Sequence, residues 1–240
     1  MHTVRPMDLF IKFLNSSRKD VGESSCIEKN RNGGRELLTT KNLRMDLNKL
    51  KFAVSCSSNM NRSMEAHSFM QKRGFNIESY GSGNQVKLPG TAIDKPNCYE
   101  FGKTTYEFIY NDLKAKDSAY YTQNGLLNML DRNRRIKPSP QKFQHEDKEF
   151  DVIICLEERV YDQVVDHLHT RPTTSGNPAH VINIDIEDNP EEATIGAWLV
   201  CELCGKLDEC DDLDNEIDEI LADFEAKNQK RNILHTICFY

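Results

Sequence analysis

The sequence predicts a three-layer α/β/α fold with a mostly parallel central sheet, and two observations carry that expectation. Short apolar runs recur at residues 52–56, 152–156 and 181–186, each the length of a strand buried on both faces. Helical-looking segments follow them at 64–73, 160–168 and 191–206. Alternation of this kind places helices on both sides of a parallel sheet.

Taken in order, residues 1–49 hold ten basic and six acidic side chains, are rich in Ser and Asn, and show no sustained period. They are expected to form a flexible N-terminal extension ahead of a domain at 50–240. The start of the chain lacks the apolar core and cleavage site of a secretory signal, so the eight cysteines are expected to be reduced. No apolar run approaches the roughly 18–20 residues of a membrane span. The first strand, at 52–56, leads through a polar loop into the first helix, which Gly74 is placed to end. A second strand follows at 75–80, closed by Gly81 and Gly83. Residues 88–150 exceed what a crossover needs, and their aromatic-rich helical pieces at 106–113 and 124–130 predict a helical cap insertion beside the site. After the third and fourth strands, residues 208–225 carry ten acidic side chains and no basic one, while Leu213, Ile217, Ile220, Leu221 and Phe224 share one helical face. That pattern predicts an amphipathic helix with a solvated acidic side, and 233–240 reads as a closing strand.

The net charge of −7 becomes −11 over residues 50–240. Broad electrostatic binding to nucleic acid or an anionic membrane is therefore not expected. A local anion site is another matter, and Cys56-Ser57-Ser58-Asn59-Met60-Asn61-Arg62-Ser63 has the form of one: cysteine, five residues, arginine, serine, between a buried strand and a helix. A loop wrapping into a helix N-terminus aims successive N–H groups at one centre, which suits a phosphate. Residues Ser57, Ser58, Asn59, Met60, Asn61 and Arg62 are the phosphate-binding candidates, with the Arg62 fork serving two phosphoryl oxygens. The same field favours thiolate over thiol, making Cys56 the candidate nucleophile, and Ser63 can donate a hydrogen bond to its sulfur. Asn59 and Asn61 tolerate left-handed backbone that other residues resist.

Displacing a poor leaving group such as an alkoxide from phosphorus needs a proton donor opposite the nucleophile. Candidates lie after the fourth strand, where Asn189 has the form of an N-cap, Pro190 of a first helical residue and Glu192 of the partner in a capping box. That leaves Asp188 free, with Asp185 and then Glu187 behind it. Cys201 and Cys204 are expected to be core packing, and His67 a hydrogen-bonded structural group. Glu157-Glu158-Arg159 either borders the crevice or forms an internal ion-pair network. The cluster at 132–135 either attracts an acidic phosphopeptide or pairs with the protein's own carboxylates.

The strand-loop-helix resembles the low-molecular-weight tyrosine phosphatase and arsenate reductase group. More narrowly, Cys56-Ser-Ser-Asn-Met-Asn-Arg-Ser-Met-Glu-Ala-His67 resembles the Ssu-type phosphatases of the RNA polymerase II carboxy-terminal domain. Agreement continues at Val86-Lys87-Leu88-Pro89-Gly90, Asp94-Lys95-Pro96-Asn97, Tyr121-Thr122-Gln123-Asn124-Gly125, Met129-Leu130-Asp131-Arg132-Asn133 and Leu234-His235-Thr236, over about 51–240. The resemblance implies a low-molecular-weight tyrosine phosphatase-like fold and a protein-serine/threonine phosphatase working through a phosphocysteine intermediate. Its substrate would be phosphoserine before a cis proline at the fifth position of the polymerase heptad. It implies Asp188 as general acid, a substrate groove at Lys87, Leu88, Pro89 and Met129, and no metal or cofactor. The implied partners are the phosphorylated C-terminal domain, a symplekin-like scaffold and the cleavage/polyadenylation machinery in the nucleus, with no direct nucleic-acid contact and no membrane. Two alternatives stand beside it. An arsenate-reductase-like enzyme would need Cys98 or Cys155 to reach Cys56, and an adaptor of the 3′-end processing complex would use the loop only secondarily.

Overall fold

The computed structural model describes residues 50–92, 94–229 and 231–240; the expected N-terminal extension at 1–49 lies outside them. Each apolar run is a strand. The order is β1 (Lys51–Cys56), α1 (Arg62–Lys72), β2 (Asn76–Gly81), β3 (Val86–Leu88), β4 (Asn97–Tyr99), α2 (Tyr106–Gln123), α3 (Leu126–Ile136), β5 (Val152–Cys155), α4 (Glu158–Thr170), β6 (Pro178–Ile184), α5 (Pro190–Glu209), α6 (Leu213–Lys227) and β7 (Ile233–Phe239). The main sheet runs β2-β1-β5-β6-β7. Its first four strands are parallel and β7 closes the edge antiparallel to β6, so the sheet is mostly parallel as expected.

Alternation along the strands sorts the core into two layers. Phe52, Val54 and Cys56 of β1 face α1, α5 and α6, where they meet Ala66, Met70, Val200, Leu203 and Phe224. Ala53 faces the other way, with Ile153, Cys155 and Val181, against Val160, Val164 and Leu168 of α4. The acidic helix α6 packs as its pattern predicts, with Ile217, Leu221 and Phe224 buried.

The cap insertion has a core of its own, in which Ile109 and Leu113 of α2 and Leu127 and Leu130 of α3 close over Val86 and Leu88. It also contains an antiparallel hairpin, β3 with β4, that the sequence does not foreshadow. Three-residue strands are too short to display a period. Helix α2 runs well past residue 113 and is kinked at Asp117 (φ −162°, ψ 92°), whose carboxylate accepts the Tyr120 N–H at 2.9 Å and so caps the second piece.

Helix α5 starts as its sequence indicates: Asn189 caps the Glu192 N–H at 2.8 Å and Pro190 is the first helical residue. The capping box is not completed, because the Glu192 carboxylate turns instead to Arg231 at 2.6 Å.

Beyond β2 the chain presses against the loop that follows β1. A Cβ on Gly83 would stand 2.8 Å from the Ser57 carbonyl oxygen, which the Gly83 N–H itself holds at 3.0 Å. No side chain fits there without moving one backbone segment. Gly83→Ala should therefore cost about 1–3 kcal/mol, the usual penalty for overpacking a closed site, and a urea unfolding curve will show it as a lowered midpoint.

Candidate active site

The chain leaves β1 at Cys56, wraps through 57–61 and enters α1 at Arg62, beside the carboxyl ends of β5 and β6. This is where ligands bind in open α/β sheets. Asn59 takes the left-handed conformation at φ 52°, as its type permits. Asn61 does not use that tolerance: it is the N-cap position of α1 with φ −97°.

Five of the six carbonyls from Cys56 to Asn61 are tied to neighbouring groups. Ser82 N–H donates to Cys56 O and Gly83 N–H to Ser57 O, both at 3.0 Å, and Glu65 N–H donates to Asn61 O at 2.9 Å. The carbonyls of Asn59 and Met60 accept from cap side chains. Among the described residues, no protein acceptor takes the backbone N–H of Ser57, Ser58, Asn59, Met60 or Asn61. Successive amides left open beside paired carbonyls form an anion-binding concavity.

Arg62 completes it. Its guanidinium is buried, and Nη1 donates to Leu156 O at 3.1 Å and Ile186 O at 2.8 Å, the backbone just past β5 and β6. Nη2 is paired with Glu157. Nε lies 3.5 Å from Asp188 Oδ1 without hydrogen-bond alignment, and so remains a buried donor with no acceptor. Burial alone would lower this group, but Cys56, Asp188 and Glu157 together hold it above its ordinary value. The arginine is a fixed cation whose Nε–H and second Nη2–H are unspent on the protein.

Cys56 Sγ lies 3.0 Å from Ser63 Oγ. Asn59 Nδ2 donates to that same hydroxyl at 3.0 Å, and Asn59 Oδ1 accepts the Gln141 N–H at 3.1 Å, which fixes the amide's orientation. Because the Asn59 amide nitrogen can only donate, the Ser63 proton is free for the sulfur.

Of the three carboxylates after β6, Asp188 reaches the loop. Its Oδ1 accepts from Asn61 Nδ2 at 3.0 Å, and the side chain is exposed to solvent. Asp185 is engaged elsewhere, accepting the Glu158 N–H at 3.1 Å and Asn183 Nδ2 at 2.9 Å. Glu187 accepts from Asn189 Nδ2 at 3.3 Å. Glu157 borders the crevice and also forms the ion pair: one oxygen takes Arg62 and the other accepts the Ser57 hydroxyl at 3.2 Å.

The groove residues divide. The Lys87 N–H donates to Ser58 Oγ at 3.2 Å while its side chain stays exposed, which joins β3 to the loop. Pro89 is exposed and Met129 lies half-buried against the cap core. The Leu88 side chain is buried in the cap core, where alternation along β3 directs it inward. Met60 is buried in the same core, so only its backbone is available to an anion.

The basic cluster is internally paired: Arg132 with Glu65, Arg134 with Glu107 at 2.6 Å and Asp131 at 2.5 Å, and Arg135 with Asp131. Cys155 sits on the sheet face opposite Cys56, which removes it as a disulfide partner. Cys201 and Cys204 are buried along α5 in the first core layer. Sequence reasoning missed Tyr106 and Asn133, whose contacts to the loop cross 47 and 73 residues and leave no local signal.

Residues 50–240 match the family model described as Ssu72-like protein. A Caenorhabditis elegans protein, the RNA polymerase II C-terminal domain phosphatase ssup-72, is 69% identical over 192 residues, covering 80% of this chain and 98% of the relative. The Homo sapiens RNA polymerase II C-terminal domain phosphatase SSU72 is 58% identical over 191 residues, covering 80% and 97%. Among solved structures, Drosophila melanogaster Ssu72 with Symplekin, bound to a cis peptidomimetic of the CTD with phosphoserine at position 5, superposes with a TM-score of 0.77 at 54% identity, covering 80% of this chain and 99% of that one.

His67, beneath the loop, is buried with Nδ1 2.9 Å from Ser79 Oγ, and burial together with Lys137 pushes it down to about 4 from 6.5. Between those values the unfolded chain takes up a proton that the folded one refuses. Stability therefore falls as pH drops from 6.5 towards 4, by about 2–3 kcal/mol in all. Urea unfolding at stepped pH should show that slope, and His67→Gln should flatten it.

Proposed function

This chain belongs to the Ssu72-like protein family, and from that premise we propose that it removes phosphate from serine in Ser-Pro motifs of the RNA polymerase II C-terminal domain, at the fifth heptad position. The observation that carries the reading is the polarity of the loop: among the described residues, the five amides between Cys56 and Arg62 and the buried Arg62 Nε have no protein acceptor. Such a cradle fits a phosphoryl group and its charge.

In the first step the Cys56 thiolate attacks phosphorus in line with the serine oxygen. The Sγ–P bond forms, the P–O bond to serine breaks, and protonated Asp188 gives its proton to the departing alkoxide. The loop amides and Arg62 hold the three equatorial oxygens as charge builds on them. In the second step water attacks the phosphocysteine, ionised Asp188 takes its proton, and the sulfur leaves as thiolate while Ser63 donates to it from 3.0 Å. Glu157 holds Arg62 and Ser57 in register for both steps. The residues around the cradle supply each proton and charge that these two steps need.

Lys87, Pro89 and Met129 are assigned to the groove that receives the peptide, with the Lys87–Ser58 link setting its position relative to the phosphate. The Drosophila relative is bound to a cis mimetic of the phosphoserine peptide together with Symplekin. The same substrate and a symplekin-like scaffold are the partners inferred for this chain, placing it in the nucleus at transcription termination and mRNA 3′-end processing.

Cys56→Ser should abolish turnover while phosphopeptide binding persists, read by isothermal titration. Asp188→Asn should lower kcat on a phosphoserine peptide by roughly 10²–10⁴, the usual worth of a general acid, and by much less on an aryl phosphate that leaves without a proton. Equal losses on both substrates would remove Asp188 from the role. Among heptad peptides phosphorylated at single positions, the fifth-position peptide should be cleaved fastest.

A further inference from the structure

The cap insertion contributes more to this site than a wall for the peptide. Four of its polar groups point at the back of the phosphate loop. Tyr106 at the start of α2 is buried and donates its hydroxyl to Asn59 O at 2.7 Å. Asn133 on α3, fully buried, donates from Nδ2 to Met60 O at 2.8 Å. Arg132 beside it donates from Nη2 to Met60 O at 3.0 Å and to Asn61 O at 3.3 Å, while its Nη1 is paired with Glu65 of α1. The Gln141 N–H, beyond α3, takes Asn59 Oδ1. Three consecutive carbonyls of the loop are thus drawn away from the cradle by groups outside the sheet domain's own strands.

A peptide plane that turns its carbonyl outward turns its N–H inward. The carbonyls of Asn59, Met60 and Asn61 belong to the same peptide planes as the amides of Met60, Asn61 and Arg62. We propose that Tyr106, Arg132 and Asn133 are positioning residues of the phosphate site, orienting those amides towards the bound anion by holding the opposite ends of their peptide groups. The inference rests on the phosphate-site reading above and extends it to residues that touch neither phosphate nor peptide. Arg132 also places a further, half-buried guanidinium within electrostatic reach of Cys56, beside Arg62 and Lys137. Without these donors the Asn59 and Met60 carbonyls would lose their partners and be free to rotate inward, while Asn61 O would keep only the Glu65 N–H, and an inward carbonyl repels phosphate.

The test reads the cradle without requiring turnover. Iodoacetate alkylation of Cys56 is followed by mass spectrometry of its peptide, which separates it from exposed Cys98, and inorganic phosphate is titrated as protectant. Phosphate should protect the unaltered protein. In Tyr106→Phe and in Arg132→Gln the protecting concentration should rise about tenfold, equivalent to ~1.4 kcal/mol for one lost oriented donor, with the circular dichroism spectrum unchanged. Arg132→Lys, which keeps the charge and can reach one carbonyl, should recover part of that loss. Full protection of folded Tyr106→Phe and Arg132→Gln at the original phosphate concentration would overturn the proposal while leaving the proposed function standing. Should Arg132→Gln fail to fold, Tyr106→Phe, which removes a single oxygen, decides alone. Failure of phosphate to protect the unaltered protein would instead defeat the phosphate-site reading and the proposal with it.

Discussion

The buried guanidinium of Arg62 is the constraint around which the rest of the site is arranged. A cation taken out of water costs several kcal/mol unless its donors are met, and here they are met by the backbone. Leu156 O and Ile186 O accept from one nitrogen, and these atoms exist at those positions only because β5 and β6 end side by side in register. Glu157 holds a second nitrogen from the start of α4. Two strands of the parallel sheet and the helix between them are thereby committed to the orientation of one side chain, whose Nε has no protein acceptor. The fold positions the arginine, and the arginine gives the loop its centre.

Much of this was legible in the chain, because the informative signals were local. Strands buried on both faces announce themselves as apolar runs, and Asn189-Pro190 announces a helix start whatever surrounds it. The relation of Cys56 to Arg62 is likewise local, one loop long, and Asn59 advertised its backbone by its type. What could not be read shares one property: it depends on pairings between distant segments. Leu88 is on the pattern of a groove segment, yet which way a three-residue strand faces is set by its hairpin partner β4. The arginines at 132–135 look like a free basic surface until Glu65, Glu107 and Asp131 are brought to them. Asp188 and Asp185 differ by three positions in sequence, and only the fold shows one spent on the N-terminus of α4 and the other resting against Asn61.

The electrostatics follow the same division between local and global. A domain carrying a large excess of carboxylates still presents one anion cradle, since the relevant charges are a buried arginine and oriented amides at a few ångströms, while the acidic residues of α6 face solvent, where salt screens them. Global charge limits what the protein can attract from a distance. It does not decide what the loop can hold.

The distribution of apolar contacts has a consequence for how the molecule comes apart. Met60 of the loop and Met64 of α1 belong to the cap's core, not to either layer of the sheet. The loop and the cap are therefore one cooperative unit, and opening the cap dissolves the cradle even where the five-stranded sheet remains intact. Amide hydrogens of the cap and of the loop should exchange with a common opening free energy below that of the sheet. The fraction of molecules with the loop in place is then governed by this smaller unit, not by the global stability that a melting curve of the whole domain reports.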